Sequence, residues 1–331
     1  MCRQERAMVP TIMGRKFAYI LSGFLLAMLC LCNAVWALPG GQDWRSWAQS
    51  DLETLQLLKN QHNEVIHSGQ VIKDFSQGRL SQVAAAQSLE KICASASVNF
   101  SRFLKVDFPT DQNLKACGTD LMRSQLKQIK AAGSVLKRDK IERLDLLALQ
   151  NGEAGVYRSQ NRYFRARCKS VRLLVQNMQA AQQQEAAKSR RLAKASSFNS
   201  SLMVYYQYQL NLLNWQLEEL SCAEKLTAAL NNLSQGKKAN CSAILSQVKN
   251  LRKKCAQSAA PAGVDTLKEA YSQELSSFSR FAEAVAIIET DKSPDSLSRL
   301  YRCSANLQKN SKEFENTNIV VLQNCLDNGK K

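Results

Sequence analysis

Histidine is nearly missing from this chain of 331 residues: only His62 and His67 are present. A histidine-based nucleophilic triad therefore lacks a base in any recognisable motif. Zinc is disfavoured for the same reason, because neither histidine has a cysteine close by to complete a ligand set. No two cysteines are spaced C-x-x-C, which excludes a thioredoxin-like redox pair and a c-type haem attachment. A Gly-rich phosphate loop is lacking as well; Gly152-Glu153-Ala154-Gly155 has neither the spacing nor a preceding strand. Carboxylate pairs for acid/base work reduce to Glu218–Glu219 and Glu142/Asp145, and acids on a helix surface are as a rule solvated or salt-bridged. The chain is accordingly expected to be no enzyme and to hold no metal or cofactor.

Proline is scarce too, with five residues, of which Pro39, Pro109, Pro261 and Pro294 lie beyond the N-terminal segment. No convincing strand pattern occurs, and turn residues gather at a few points, so the predicted fold is all-α: an elongated antiparallel helical bundle or coiled coil with short turns. A first helix is expected over about 43–75, with Ala48, Leu55, Leu58, His62, Val65 and Ile72 on one stripe and Gly78 as its stop. Ser81 caps a second helix to about Leu104, and Val106-Asp107-Phe108-Pro109 breaks the chain. A third helix runs from Thr110 or Asp111 to about Gln150, and residues 151–155 make the next turn.

From Val156 to about Leu233 the apolar repeat barely breaks, and as one helix it would reach roughly 115 Å. A hinge near Ser196 to Ser201, or a long antiparallel coiled coil, is expected instead. Three shorter helices follow, at about 240–257, 265–289 and 294–327, the last capped by Ser293 with Pro294 in its first turn. The organisation is thus 1–37 as a signal peptide, 38–155 as N-terminal hairpins, and 156–331 as a long basic helix plus a C-terminal bundle, the latter two able to merge.

The signal-peptide reading rests on Arg15 and Lys16 before the apolar run Phe17 to Cys32, with Val35 and Ala37 fitting cleavage after Ala37. The run is about 16 residues, short of the roughly 20 that cross a bilayer. Export, to the periplasm or the medium, is therefore expected.

Eight cysteines follow the leader: Cys93, Cys117, Cys168, Cys222, Cys241, Cys255, Cys303 and Cys325. An even thiol count in an exported chain predicts disulfide staples. Residues equally far from a turn lie level in antiparallel helices, which suggests Cys93–Cys117 and Cys222–Cys255. Cys303 and Cys325 are too far apart on one helix to join each other. Cys241–Cys303 and Cys168–Cys325 are the remaining pairs.

The strongest binding signal is charge. The chain carries +17 overall, yet from Ala154 to Leu217 ten basic residues face one acid, Glu185. Arg158, Arg162, Arg165, Lys169 and Arg172 step by four, three, four and three, one stripe on a helix about 21 Å long. Arg190 and Arg191 extend the candidate site. Five like charges in a row oppose helix formation unless something anionic lies across them. Either internal acids such as Glu142 and Asp145 meet the stripe, or it is an exposed rib for a partner. The aromatic run Tyr205-Tyr206-Gln207-Tyr208 with Trp215 reads as core.

The expected function is an exported, non-enzymatic binding or structural protein of the cell envelope or extracellular space. Its anionic partner would be an acidic protein face, a polysaccharide or a lipid head group, with the membrane surface an open option and no nucleic acid. Oligomers through a coiled coil stay open. A helical carrier for an amphipathic ligand is the alternative, followed by a carboxylate-dependent hydrolase.

Overall fold

The computed structural model describes residues 44–106, 112–136, 143–192 and 200–328, with side chains at 46–106, 112–136, 155–183 and 200–328. The leader and its cleavage site, the Glu142 and Asp145 side chains, and the Arg190 and Arg191 side chains lie outside these residues.

The described chain is helical throughout. The helices are α1 (Trp44–Ser76), α2 (Gln82–Lys105), α3 (Gln112–Leu136), α4 (Arg143–Leu192), α5 (Ser200–Ser234), α6 (Cys241–Gln257), α7 (Asp265–Thr290) and α8 (Pro294–Asn328). Five match the sequence expectation to within a residue or two because their ends are written in local chemistry. Gly78 has φ +72, the left-handed geometry that a β-carbon resists, and terminates α1. The Ser81 side chain accepts a bond from the Ala84 N–H and starts α2. Asn240 does the same for the Ala243 N–H at the head of α6.

One expectation needs correction. The turn expected at 151–155 does not exist: α4 runs unbroken from Arg143 through Gly152 and Gly155. A glycine inside a helix costs only about 1 kcal/mol, too little for two of them to break a helix of 50 residues. The long apolar repeat over 156–233 falls on two helices, with α4 ending at Leu192 and α5 starting at Ser200, beside the hinge expected near Ser196 to Ser201. A domain boundary at 155/156 would cut α4.

Each helix packs on the next in alternating direction, and α1 closes the bundle by packing on α3 and α8. Helix α5 sits centrally, against α4, α6, α7 and α8, and is buried almost all round. Close approach is tightest where α2, α3 and α4 meet at Gly118: a β-carbon there would lie 2.6 Å from Phe103 Cζ and 3.4 Å from Tyr163 Cε2. The α1 stripe points inward as expected, with Ala48, Leu55, Leu58, His62 and Val65 all buried. No described helix is long and apolar enough to cross a membrane.

The register of these helices keeps the four expected cysteine pairs apart, and no disulfide joins the eight thiols. In the α2–α3 hairpin the Gln82 amide donates to the Leu136 carbonyl and Phe103 meets Gly118, so Cys93 is level with about residue 127, some 15 Å along the axis from Cys117. In the α5–α6 hairpin Glu218 meets Lys254 and Lys225 meets Gln247; Cys222 is level with Asn250, about 7 Å from the level of Cys255. Cys241 turns to Glu289 of α7, level with Ser296 of α8 rather than with Cys303. Tyr157 meets Thr227, and Tyr205 meets Asn318, which sets Cys168 and Cys325 about 20 Å apart along α5.

Burial also controls thiol chemistry. Desolvation pushes the Cys222 and Cys325 thiols up to about 11 and, together with neighbouring Glu289, Cys241 to about 12. Under native conditions near neutral pH, iodoacetamide is expected to alkylate the half-buried Cys93, Cys117 and Cys303 first, with Cys222, Cys241 and Cys325 reacting at least tenfold more slowly; peptide mapping reads the order.

Candidate functional site

The basic rib lies on the outer face of α4. Arg158, Arg162, Arg165, Lys169 and Arg172 are all exposed, and α4 carries no acid between residues 155 and 183. The intervening positions Tyr163, Phe164, Ala166, Ser170 and Val171 are buried, so the helix presents cations outward and its packing face inward. Arg167 is the exception in this stretch: it turns fully into the core.

Helix α3 adds a second row that the sequence reading overlooked. Arg123, Lys127 and Lys130 are exposed and step by four and three, the signal that would have found them. The two rows meet at Asp120, the single acid of α3. Arg123 Nη1 donates to Asp120 Oδ1 at 2.8 Å, and Arg162 Nη1 lies 4.0 Å from Oδ2. Ser124 and Ser159 touch across the same seam at 2.9 Å. Among the described side chains of these two antiparallel helices, Asp120 is thus the one acid beside Arg123, Lys127, Lys130, Arg162, Arg165, Lys169 and Arg172. Ion pairs elsewhere among the described residues include Lys249 with Glu283, Lys254 with Glu218, and Arg79 with Asp74. Arg165 satisfies one nitrogen locally, donating from Nε to Asn161 Oδ1 at 2.6 Å.

The enzyme candidates separate in space. Glu218 is exposed and bonded by Lys254 at 2.8 and 3.0 Å, whereas Glu219 points into the core and accepts from the Tyr271 hydroxyl at 2.9 Å. Two adjacent carboxylates on opposite sides of a helix cannot flank one bond. His62 is buried against Glu315, and exposed His67 lies 3.8 Å from Glu64. Among the described residues no group of three or more His, Cys, Asp or Glu is arranged to hold a metal ion. Tyr205, Tyr206 and Tyr208 are buried, and Trp215 stacks on Tyr271 at 6.1 Å with an 8° interplanar angle.

The core holds charges of its own. Asp51 accepts from the Tyr206 hydroxyl at 3.1 Å and lies 3.9 Å from Arg167 Nη2, tying α1, α4 and α5 together. Deeper along α5, Glu219 sits close enough to Glu274 of α7 for its charge to raise it. Burial lifts Glu219 to about 8, opposed by the Tyr271 bond. Burial, then the Glu219 charge, holds Glu274 well above the ordinary range.

Comparison with protein-family models, with curated proteins and with solved structures gave no match to this chain.

Proposed function

We propose that this protein is an exported, non-enzymatic helical protein of the cell envelope or extracellular space that binds an anionic partner through the α3/α4 basic face. One observation carries the reading: seven exposed cations, Arg123, Lys127, Lys130, Arg162, Arg165, Lys169 and Arg172, line two neighbouring helices on which Asp120 is the one acid among the described side chains. Uncompensated like charge on adjacent helices opposes folding and is relieved by an external anion. Arginine predominates on the α4 row, and its planar fork suits carboxylate or phosphate groups. Export rests on the leader-like N-terminus, Arg15 and Lys16 before the apolar run Phe17 to Cys32.

Reversal of Arg165, Lys169 and Arg172 to Glu is expected to abolish capture of acidic components from an envelope extract, leaving thermal stability within about 0.5 kcal/mol of the parent. Retained capture, or a bundle that unfolds, would contradict the assignment.

A further inference from the structure

The basic face is linear. The Ser124–Ser159 and Asp120–Arg162 contacts set the register of α3 against α4, placing Lys130 level with about residue 152. The two rows therefore overlap only in part and together form a band about 30 Å long, one to two helices wide, with a positive charge about every 5 Å along each row. That repeat is close to the length of one sugar ring in an extended polysaccharide. Apolar groups are nearly absent from the band: the one large exposed hydrophobic side chain on α3 or α4 among the described residues is Leu173, at its far end. A helix that seats itself in a lipid interface needs a broad apolar face to bury, and here that face is spent on the bundle core.

Resting on the reading of this face as an anion-binding surface, we propose that its ligand is an extended linear polyanion bearing about one carboxylate per sugar unit, laid lengthwise along the α3–α4 seam. Binding is then multivalent along one line. Each added unit engages another cation at high effective concentration until the polymer spans the band, and further units add nothing.

The test uses the whole protein with oligogalacturonates from dimer to decamer, and in parallel with vesicles containing phosphatidylglycerol. Affinity is expected to climb more than tenfold from dimer to about hexamer and then level off. It should weaken steeply with salt, and fall at least tenfold in the variant with Arg165, Lys169 and Arg172 changed to Glu. If that variant does not fold, the same three residues changed to Gln serve, with a smaller loss expected. Binding with no dependence on oligomer length overturns the lengthwise fit. Vesicle binding without oligomer binding overturns the polymer assignment and leaves the anion-binding face standing. Failure to bind either probe overturns both.

Discussion

Arg167→Ala is expected to destabilise the protein by about 3–5 kcal/mol, whereas Arg165→Ala, two residues away, should change stability by less than about 0.5 kcal/mol. The contrast follows from placement. Arg165 is exposed. Arg167 is fully buried and faces Asp51, itself 2% exposed, which also accepts the Tyr206 hydroxyl. Removing the guanidinium leaves the Asp51 carboxylate in the core without its counter-charge and opens a void beside Asp51 and Tyr206, whose ring meets Trp47 edge-on at 4.7 Å. Combining Arg167→Met with Asp51→Leu removes both charges at similar volume and should recover most of the loss, because desolvating the pair offsets much of its attraction. Urea unfolding of the two single variants and the double variant measures this. Additive losses in the double variant would show that the two side chains do not act as a pair.

The second large effect is on pH dependence. Glu219 holds its proton in the folded state up to about 8, against 4.5 for an ordinary glutamate, because α5, α7 and α8 exclude water from it. The groups around it are the Tyr271 hydroxyl, the Cys222 and Cys255 thiols and the Glu274 carboxyl, and Glu274 in turn meets Ser311 and Glu315, which lies against His62. An acid whose folded pKa is raised keeps its proton while the unfolded chain loses it. Folding stability contributed by Glu219 is therefore fully present below about pH 4.5 and is lost progressively as pH rises to about 8, a change on the order of 4 kcal/mol. Glu274 acts in the same direction. Glu219→Gln keeps the Tyr271 bond through the amide oxygen and cannot ionise. The variant should match the parent near pH 5 and exceed it in stability near pH 8. A parent protein more stable at pH 8 than at pH 5 would contradict the buried-acid assignment.

Helix ends written in single residues were legible in the sequence. Gly78, Ser81, Asn240, Ser293 and Pro294 each act through local backbone chemistry, and α1 ends, and α2, α6 and α8 begin, beside those residues. The boundary between α3 and α4 was not legible, because residues 137–142, Lys-Arg-Asp-Lys-Ile-Glu, contain neither glycine nor proline, while the glycines that looked like a turn lie inside α4. Disulfide pairing failed by the same arithmetic. An antiparallel register doubles any error in the turn centre, so placing the α2–α3 turn near 105 rather than about 110 moved the expected partner of Cys117 by about ten residues. The rib was visible as a three-four repeat; the α3 row obeyed the same rule and was passed over. The buried charges were the harder case. Arg167 sits three residues after Phe164 and four before Val171, on the apolar stripe, and Glu219 lies three before Cys222 and seven after Leu212. Their spacing marked them as inward-facing, against the expectation attached to their charge.

The binding face is tested most directly by mapping which basic side chains a bound anion shields. Lysine and arginine labelling, read by mass spectrometry with and without polygalacturonate and, separately, phosphatidylglycerol vesicles, gives that map. Protection of Lys127, Lys130, Arg162, Arg165, Lys169 and Arg172 is expected from whichever probe binds, with Arg252 and Lys253 on the outer face of α6 labelled equally in both conditions. Protection centred on α6, with the α3 and α4 rows unchanged, would contradict it.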